Sequence, residues 1–119
     1  MERGFPATLP PASERPITAA ELALLKAMLD EQRAFRIDQL TQLQRARPSD
    51  PLASPDPEIE RSLSAGALAA LRDVQSALWR IEEGTYGLCV DCGAAIALER
   101  LEILPQTARC LPCQRPDGG

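Results

Sequence analysis

The chain has 119 residues, a formal net charge of -4 from 13 basic and 17 acidic side chains, and no histidine. That length admits one compact domain or two small modules. The missing histidine removes the usual general base and the commonest metal ligand, so composition excludes a catalytic triad or a binuclear histidine site. Lys26 is the only lysine, and no basic stripe is present to neutralise the phosphates of duplex DNA, so direct sequence-specific DNA binding is not expected. The apolar share, 45%, is mostly Leu and Ala, and Phe5, Phe35, Trp79 and Tyr86 are the only aromatic residues. This is a composition for helices rather than for a sandwich or barrel. No run of 18 uncharged apolar residues is present, and the first eleven residues hold no apolar signal core, so no membrane association and a cytoplasmic location are expected.

Residues 1–17 contain Pro6, Pro10, Pro11 and Pro16 among small and polar side chains, which predicts a disordered proline-rich tail. A helix is expected over 18–47, opened by the capping box Thr18-Ala19-Ala20-Glu21 and stopped by Pro48. Leu22, Leu25 and Leu29 start a heptad seam, and Leu40 and Leu43 resume it eleven residues later. Phe35 and Ile37 fall in that gap, so a local stutter is expected there. Four prolines with Ser49, Asp50, Ser54 and Asp56 mark residues 48–57 as a tip loop. Asp56 has the chemistry of an N-cap, with Pro57 at the first helical position. The second helix, 58–83, carries Ala67, Leu71, Val74, Leu78 and Ile81 at alternating steps of 4 and 3, and Gly84 ends it. Two such helices joined by a short loop predict an antiparallel hairpin, with pairing between subunits as the other way to cover the seams. Trp79 lies one step from seam residue Leu78. It is read as packing at the hairpin base, with an exposed binding anchor as the other reading.

The sharpest motif is Cys89-Val90-Asp91-Cys92-Gly93 followed by Cys110-Leu111-Pro112-Cys113. Two C-x2-C knuckles 17 residues apart have the spacing of a structural zinc site, and four protein ligands leave no open position for a reactive water. An iron–sulfur cluster or a redox pair are the competing uses of four thiols. Within 84–116, Asp91, Glu99 and Glu102 balance Arg100, Arg109 and Arg115, which favours protein contact over nucleic acid. The fold class expected is all-α: a coiled-coil hairpin over 18–83 with a small C-terminal four-cysteine finger.

A helical hairpin followed by Gly84-Thr85-Tyr86-Gly87-Leu88-Cys89-Val90-Asp91-Cys92-Gly93, then Ile96, Arg100-Leu101-Glu102, Pro105 and Cys110-Leu111-Pro112-Cys113, resembles the DksA/TraR zinc-finger family over about residues 18–115. The resemblance implies one structural Zn2+ on Cys89, Cys92, Cys110 and Cys113, and a transcription regulator rather than an enzyme. It also implies direct binding to bacterial RNA polymerase, with the coiled coil entering the secondary channel and acidic tip residues acting near the catalytic centre. The family tip reads Asp-x-x-Asp-x-Ala. Here Asp50-Pro51-Leu52-Ala53-Ser54-Pro55 keeps only the first acid, and Asp56-Pro57-Glu58-Ile59-Glu60 places its second acid one residue late. Asp50, Asp56 and Glu60 are the tip candidates, each with a turn or capping role as its other reading. Family positions that help hold the alarmone ppGpp are Leu104, Ala69 and Asp73 in this chain, so that site is not expected here. The alternative is a zinc-stabilised protein–protein adaptor without polymerase activity. A monomer is expected in either case.

Overall fold

The computed structural model describes residues 16–45 and 56–114. Four helices follow in chain order: α1 (Ala19–Arg45), α2 (Pro57–Glu83), α3 (Leu98–Ile103) and α4 (Leu111–Gln114). Among the described residues there is no strand, and extended pairing is limited to one antiparallel bridge between Leu88 and Ala95. The expected tail over 1–17 lies outside the described residues up to residue 15, and most of the tip loop, including Asp50, lies outside them too.

Local chemistry sets the helix ends. The Thr18 amide donates to Glu21 Oε1 at 2.9 Å while the Glu21 amide donates to Thr18 Oγ1 at 3.1 Å, the reciprocal pair of a capping box. Asp56 caps α2: its backbone is extended and its Oδ1 accepts the Glu58 amide at 2.9 Å, with Pro57 following. At the far end Gly84 takes φ +80, which a side chain would resist. The Gly84 amide then reaches Ile81 O at 3.2 Å and the Thr85 amide reaches Arg80 O at 2.9 Å. This double bond is a Schellman cap, and it turns the chain directly into the following module.

α1 and α2 pack along one another. Leu22 shares a cavity wall with Ile81, and Asp30 and Arg33 share another with Gln75 and Trp79, so the two helices run antiparallel. The inward face of α1 follows Leu22, Leu25, Leu29, Gln32, Arg36, Leu40 and Leu43, each of them at least half-buried. The steps are 3, 4, 3, 4, 4 and 3, and the two successive steps of 4 between Gln32 and Leu40 break the heptad alternation. The expected stutter is present: the seam crosses the eleven residues from Leu29 to Leu40 through Gln32 and Arg36, while Phe35 and Ile37 face solvent. The apolar pattern in the sequence breaks there because the seam also becomes polar.

The core sits at the hairpin base. Leu25 and Leu29, 2% and 0% exposed, meet Val74 and Ala77 from α2 together with Tyr86, Cys89, Ile96, Leu98 and Leu101 from the C-terminal module. Two helices cannot by themselves enclose an apolar centre. The finger forms the third wall and buries the seam where it is most apolar. Trp79 departs from the expected packing at this base. It is 59% exposed, because Ala77 and Arg80 occupy the face of α2 that meets the finger and position 79 projects away from it.

Candidate metal centre

Two backbone turns bring the cysteines together. In the first, the Cys89 amide donates to Ala94 O at 2.8 Å and the Gly93 amide to Cys89 O at 2.9 Å, with Gly93 at φ +79. That left-handed turn folds Cys92 back beside Cys89, and it needs a residue without Cβ. In the second, Cys110 immediately precedes α4, and its carbonyl accepts the Gln114 amide at 3.0 Å. Cys113 follows within that single helical turn. The Val90 amide donates to Ala108 O at 2.9 Å and ties one turn to the other. Outside the cluster, Arg109 Nε donates to Asp91 Oδ2 at 2.6 Å in an exposed ion pair between the same two segments.

All four Sγ atoms lie within 4.8 Å of one another, and those of Cys92 and Cys110 are 3.6 Å apart. Tetrahedral zinc with bonds of ~2.3 Å requires sulfur–sulfur edges of about 3.8 Å, so the donor set fits that ion. None of the four is in a disulfide. Their acidities diverge. Backbone amides stabilise the Cys89 thiolate, that of Cys110 most, and against the cost of burial they lower it to about 6. For Cys92 the Ala94 amide pulls downward, but contacts with the Cys110 and Cys89 sulfurs outweigh it and the thiol is raised. Hydrogen bonding to the Cys110, Cys89 and Cys92 side chains raises Cys113 to about 12. Four crowded sulfurs cannot all carry charge unless a cation is held among them. The chemistry is that of a closed cation site, with no vacant ligand position for catalysis.

Of the tip candidates, Asp50 lies outside the described residues, and Asp56 and Glu60 are not brought to this cluster. Asp56 and Glu60 sit in the first turn of α2, at the opposite end of the helix from Gly84, and the Asp56 carboxylate serves as the cap. Sequence reasoning passed over a second group at the base. Tyr86 is buried, and its hydroxyl donates to Pro105 O at 2.8 Å; burial raises the phenol to about 12, with the nearby Arg80 opposing. Arg80 is 7% exposed and donates to Ser76 Oγ at 2.8 Å, with a longer 3.4 Å contact to Thr107 O. Burial lowers the pKa of its guanidinium, with Tyr86 and Asp73 opposing. The step from Ala77 to Arg80 at i+3 was the available signal, and the charge of Arg80 concealed it.

Fold and site together define a class: a long helical hairpin whose base is closed by a four-cysteine zinc finger. Residues 84–117 match the family model described as the prokaryotic dksA/traR C4-type zinc finger, and one structural zinc ion is the cofactor this site implies. The chain is 43% identical to an uncharacterised protein of Aquifex aeolicus (strain VF5) over 56 residues, 47% of this chain and 39% of that protein. It is 54% identical to the uncharacterised protein YteA of Bacillus subtilis (strain 168) over 35 residues, 29% of this chain and 15% of that one. The matched regions thus span well under half of either relative. The structure of transcription factor DksA2 from Pseudomonas aeruginosa superposes with a TM-score of 0.60 at 24% identity, covering 82% of this chain and 83% of that one. The sequence match is thus to the dksA/traR finger over residues 84–117, and the likeness to DksA2 is one of fold.

Proposed function

We propose that this protein is a cytoplasmic transcription regulator that binds bacterial RNA polymerase directly and inserts the far end of its hairpin into the secondary channel. The observation that carries this reading is the joining of a dksA/traR-type finger to an antiparallel hairpin whose fold matches DksA2 over most of both chains. The division of labour fits it. Zinc on Cys89, Cys92, Cys110 and Cys113 fixes the base, and two helices of 27 residues, each ~40 Å long, project from that base as a narrow rod. Asp50, Asp56 and Glu60 are the acids assigned the tip role, and Asp56 must meet a partner while also capping α2. Ala69 and Asp73 are exposed on α2, and Leu104 is exposed after α3, so none of these positions offers a cation to a polyphosphate. Regulation without a ppGpp site at those positions is the expected behaviour. The protein acts as a monomer and contacts the enzyme, not promoter sequence.

The test is binding of zinc-loaded, fluorescently labelled protein to bacterial core RNA polymerase, with a known secondary-channel ligand as competitor. Saturable binding displaced by that competitor is the expected result. No binding at micromolar protein overturns the proposal and leaves the zinc-stabilised adaptor, whose exposed Trp79 beside Lys26 and Arg33 then becomes the leading contact.

A further inference from the structure

α1 carries a second stripe that α2 does not cover. Glu21, Leu24, Met28, Glu31 and Phe35 follow one another at steps of 3, 4, 3 and 4, the same heptad spacing as the inward seam but about a quarter-turn around the helix. Leu24 is 68% exposed and Phe35 61%, and Met28 is half-buried at the edge of the core. Over its first half the stripe floors a groove of about 550 Å³ between α1 and α3, with Leu98 on the far wall. Glu21, Glu31 and Glu102 stand around this floor, and no basic side chain lines it. Glu21 also serves the capping box. The Phe35 end is different: Arg36 lies over the Phe35 ring, 5.3 Å from its centre.

We propose that this stripe is a docking surface for a basic amphipathic helix of a partner protein, which lies along α1 as a third helix. Leu24, Met28 and Phe35 span eleven residues, or ~16 Å of helix axis, so the partner needs three turns with apolar residues at heptad spacing. Its arginines or lysines belong at the end facing Glu21, Glu31 and Glu102, where attraction steers encounter and fixes register. Two other occupants fit less well. The sequence before α1 has prolines at 6, 10, 11 and 16 and contains no proline-free run of eleven residues. A second copy paired through the same stripe would set carboxylates against carboxylates. The surface is separate from the hairpin's far end, so its occupancy and polymerase binding can be measured apart.

The experiment titrates full-length, zinc-loaded protein into a labelled synthetic helical peptide with leucines at heptad spacing and arginines at one end, read by fluorescence anisotropy. One control peptide carries glutamates for the arginines, and another scrambles the leucines. Micromolar binding of the first peptide alone is expected, weakened about tenfold or more by Leu24→Ser and by Phe35→Ser. Both positions are exposed, so circular dichroism should be unchanged. Glu31→Lys combined with Glu102→Lys should lose the arginine peptide and gain the glutamate one. Equal binding of the scrambled peptide, no saturable binding, or indifference to both Ser variants overturns the proposal. So does self-association of the free protein that Leu24→Ser abolishes, which would make a second copy the occupant. Tighter peptide binding by about tenfold after removal of residues 1–15 would assign the groove to the chain's own segment and overturn it equally.

Discussion

The base of the hairpin and its distal half are built from the same two helices and hold together differently. At the base, Leu25 and Leu29 lie against Val74 and Ala77, and the finger closes the third side. In the distal half the inward positions of α1 are Gln32, Arg36, Gln39, Leu40 and Leu43, and on α2 only Ala67 is fully buried. Local bonds take over there: Arg36 to Gln39 at 2.8 Å, Thr41 Oγ1 to Ile37 O at 2.9 Å and Gln42 to Asp38 at 2.9 Å. Bonds of this kind contribute a few tenths of a kcal/mol each, whereas a buried leucine contributes about 2 kcal/mol. Cohesion between the helices is therefore concentrated at the finger end, and the distal half is held mainly by being continuous with it.

Removing the metal should break the comparison most completely. Structural zinc contributes ~10–16 kcal/mol in small modules of this type, and without it the third wall of the base has no fold of its own. Cys89→Ser is expected to lose bound zinc and to lower the melting temperature of the hairpin as well as the finger; full zinc stoichiometry with an unchanged melt would refute this. Next comes the contrast between two leucines on one seam. Leu29→Ala, at a fully buried site, should cost about 2–5 kcal/mol in urea denaturation, and Leu40→Ala, half-buried, under about 1.5 kcal/mol. Equal costs would show that the distal half is as cohesive as the base.

Two smaller effects sharpen the picture of the base. Tyr86→Phe leaves the Pro105 carbonyl without its donor and should cost about 1–2 kcal/mol. Tyr86 is the only tyrosine, so its ionisation can be followed directly by absorbance. Its folded value, about 12, lies above the ordinary 10. The stability it contributes is thus complete below 10 and declines as pH rises from there toward 12. A titration midpoint near 10 in the folded protein would contradict the buried hydroxyl. Finally, zinc uptake should release protons. Cys113, raised to about 12, and Cys92, also raised, are thiols at neutral pH, whereas Cys89 at about 6 is largely ionised already. Binding should expel about two protons or more near pH 7, and affinity should fall as pH is lowered. Release measured in a weakly buffered indicator solution would test it, and pH-independent affinity would contradict it.

What could be read from sequence was mostly local. The Thr18–Glu21 box, the Asp56 cap and the Gly84 stop depend on residues no more than four or five apart, so their chemistry is visible in a short window. The four cysteines were legible because their spacing and residue type admit few uses. The remainder depended on where the finger sits. Arg80 is buried because the finger covers its face of α2, through contacts nearly thirty residues apart such as Arg80 with Thr107, and Trp79 is exposed because it projects from another face. The seam through Gln32 and Arg36 was missed because apolar periodicity cannot follow a stripe once it turns polar.

The Schellman cap at Gly84 has a mechanical consequence. Because the carbonyl of Arg80 is held by the amides of Thr85 and Tyr86, no slack linker separates rod from foundation. A helix ~40 Å long is a lever, and a tilt of about 5° at its root would sweep its end by about 3.5 Å, more than the length of a hydrogen bond. Aim at the far end is therefore decided at the near one, by two amides and a residue with no side chain.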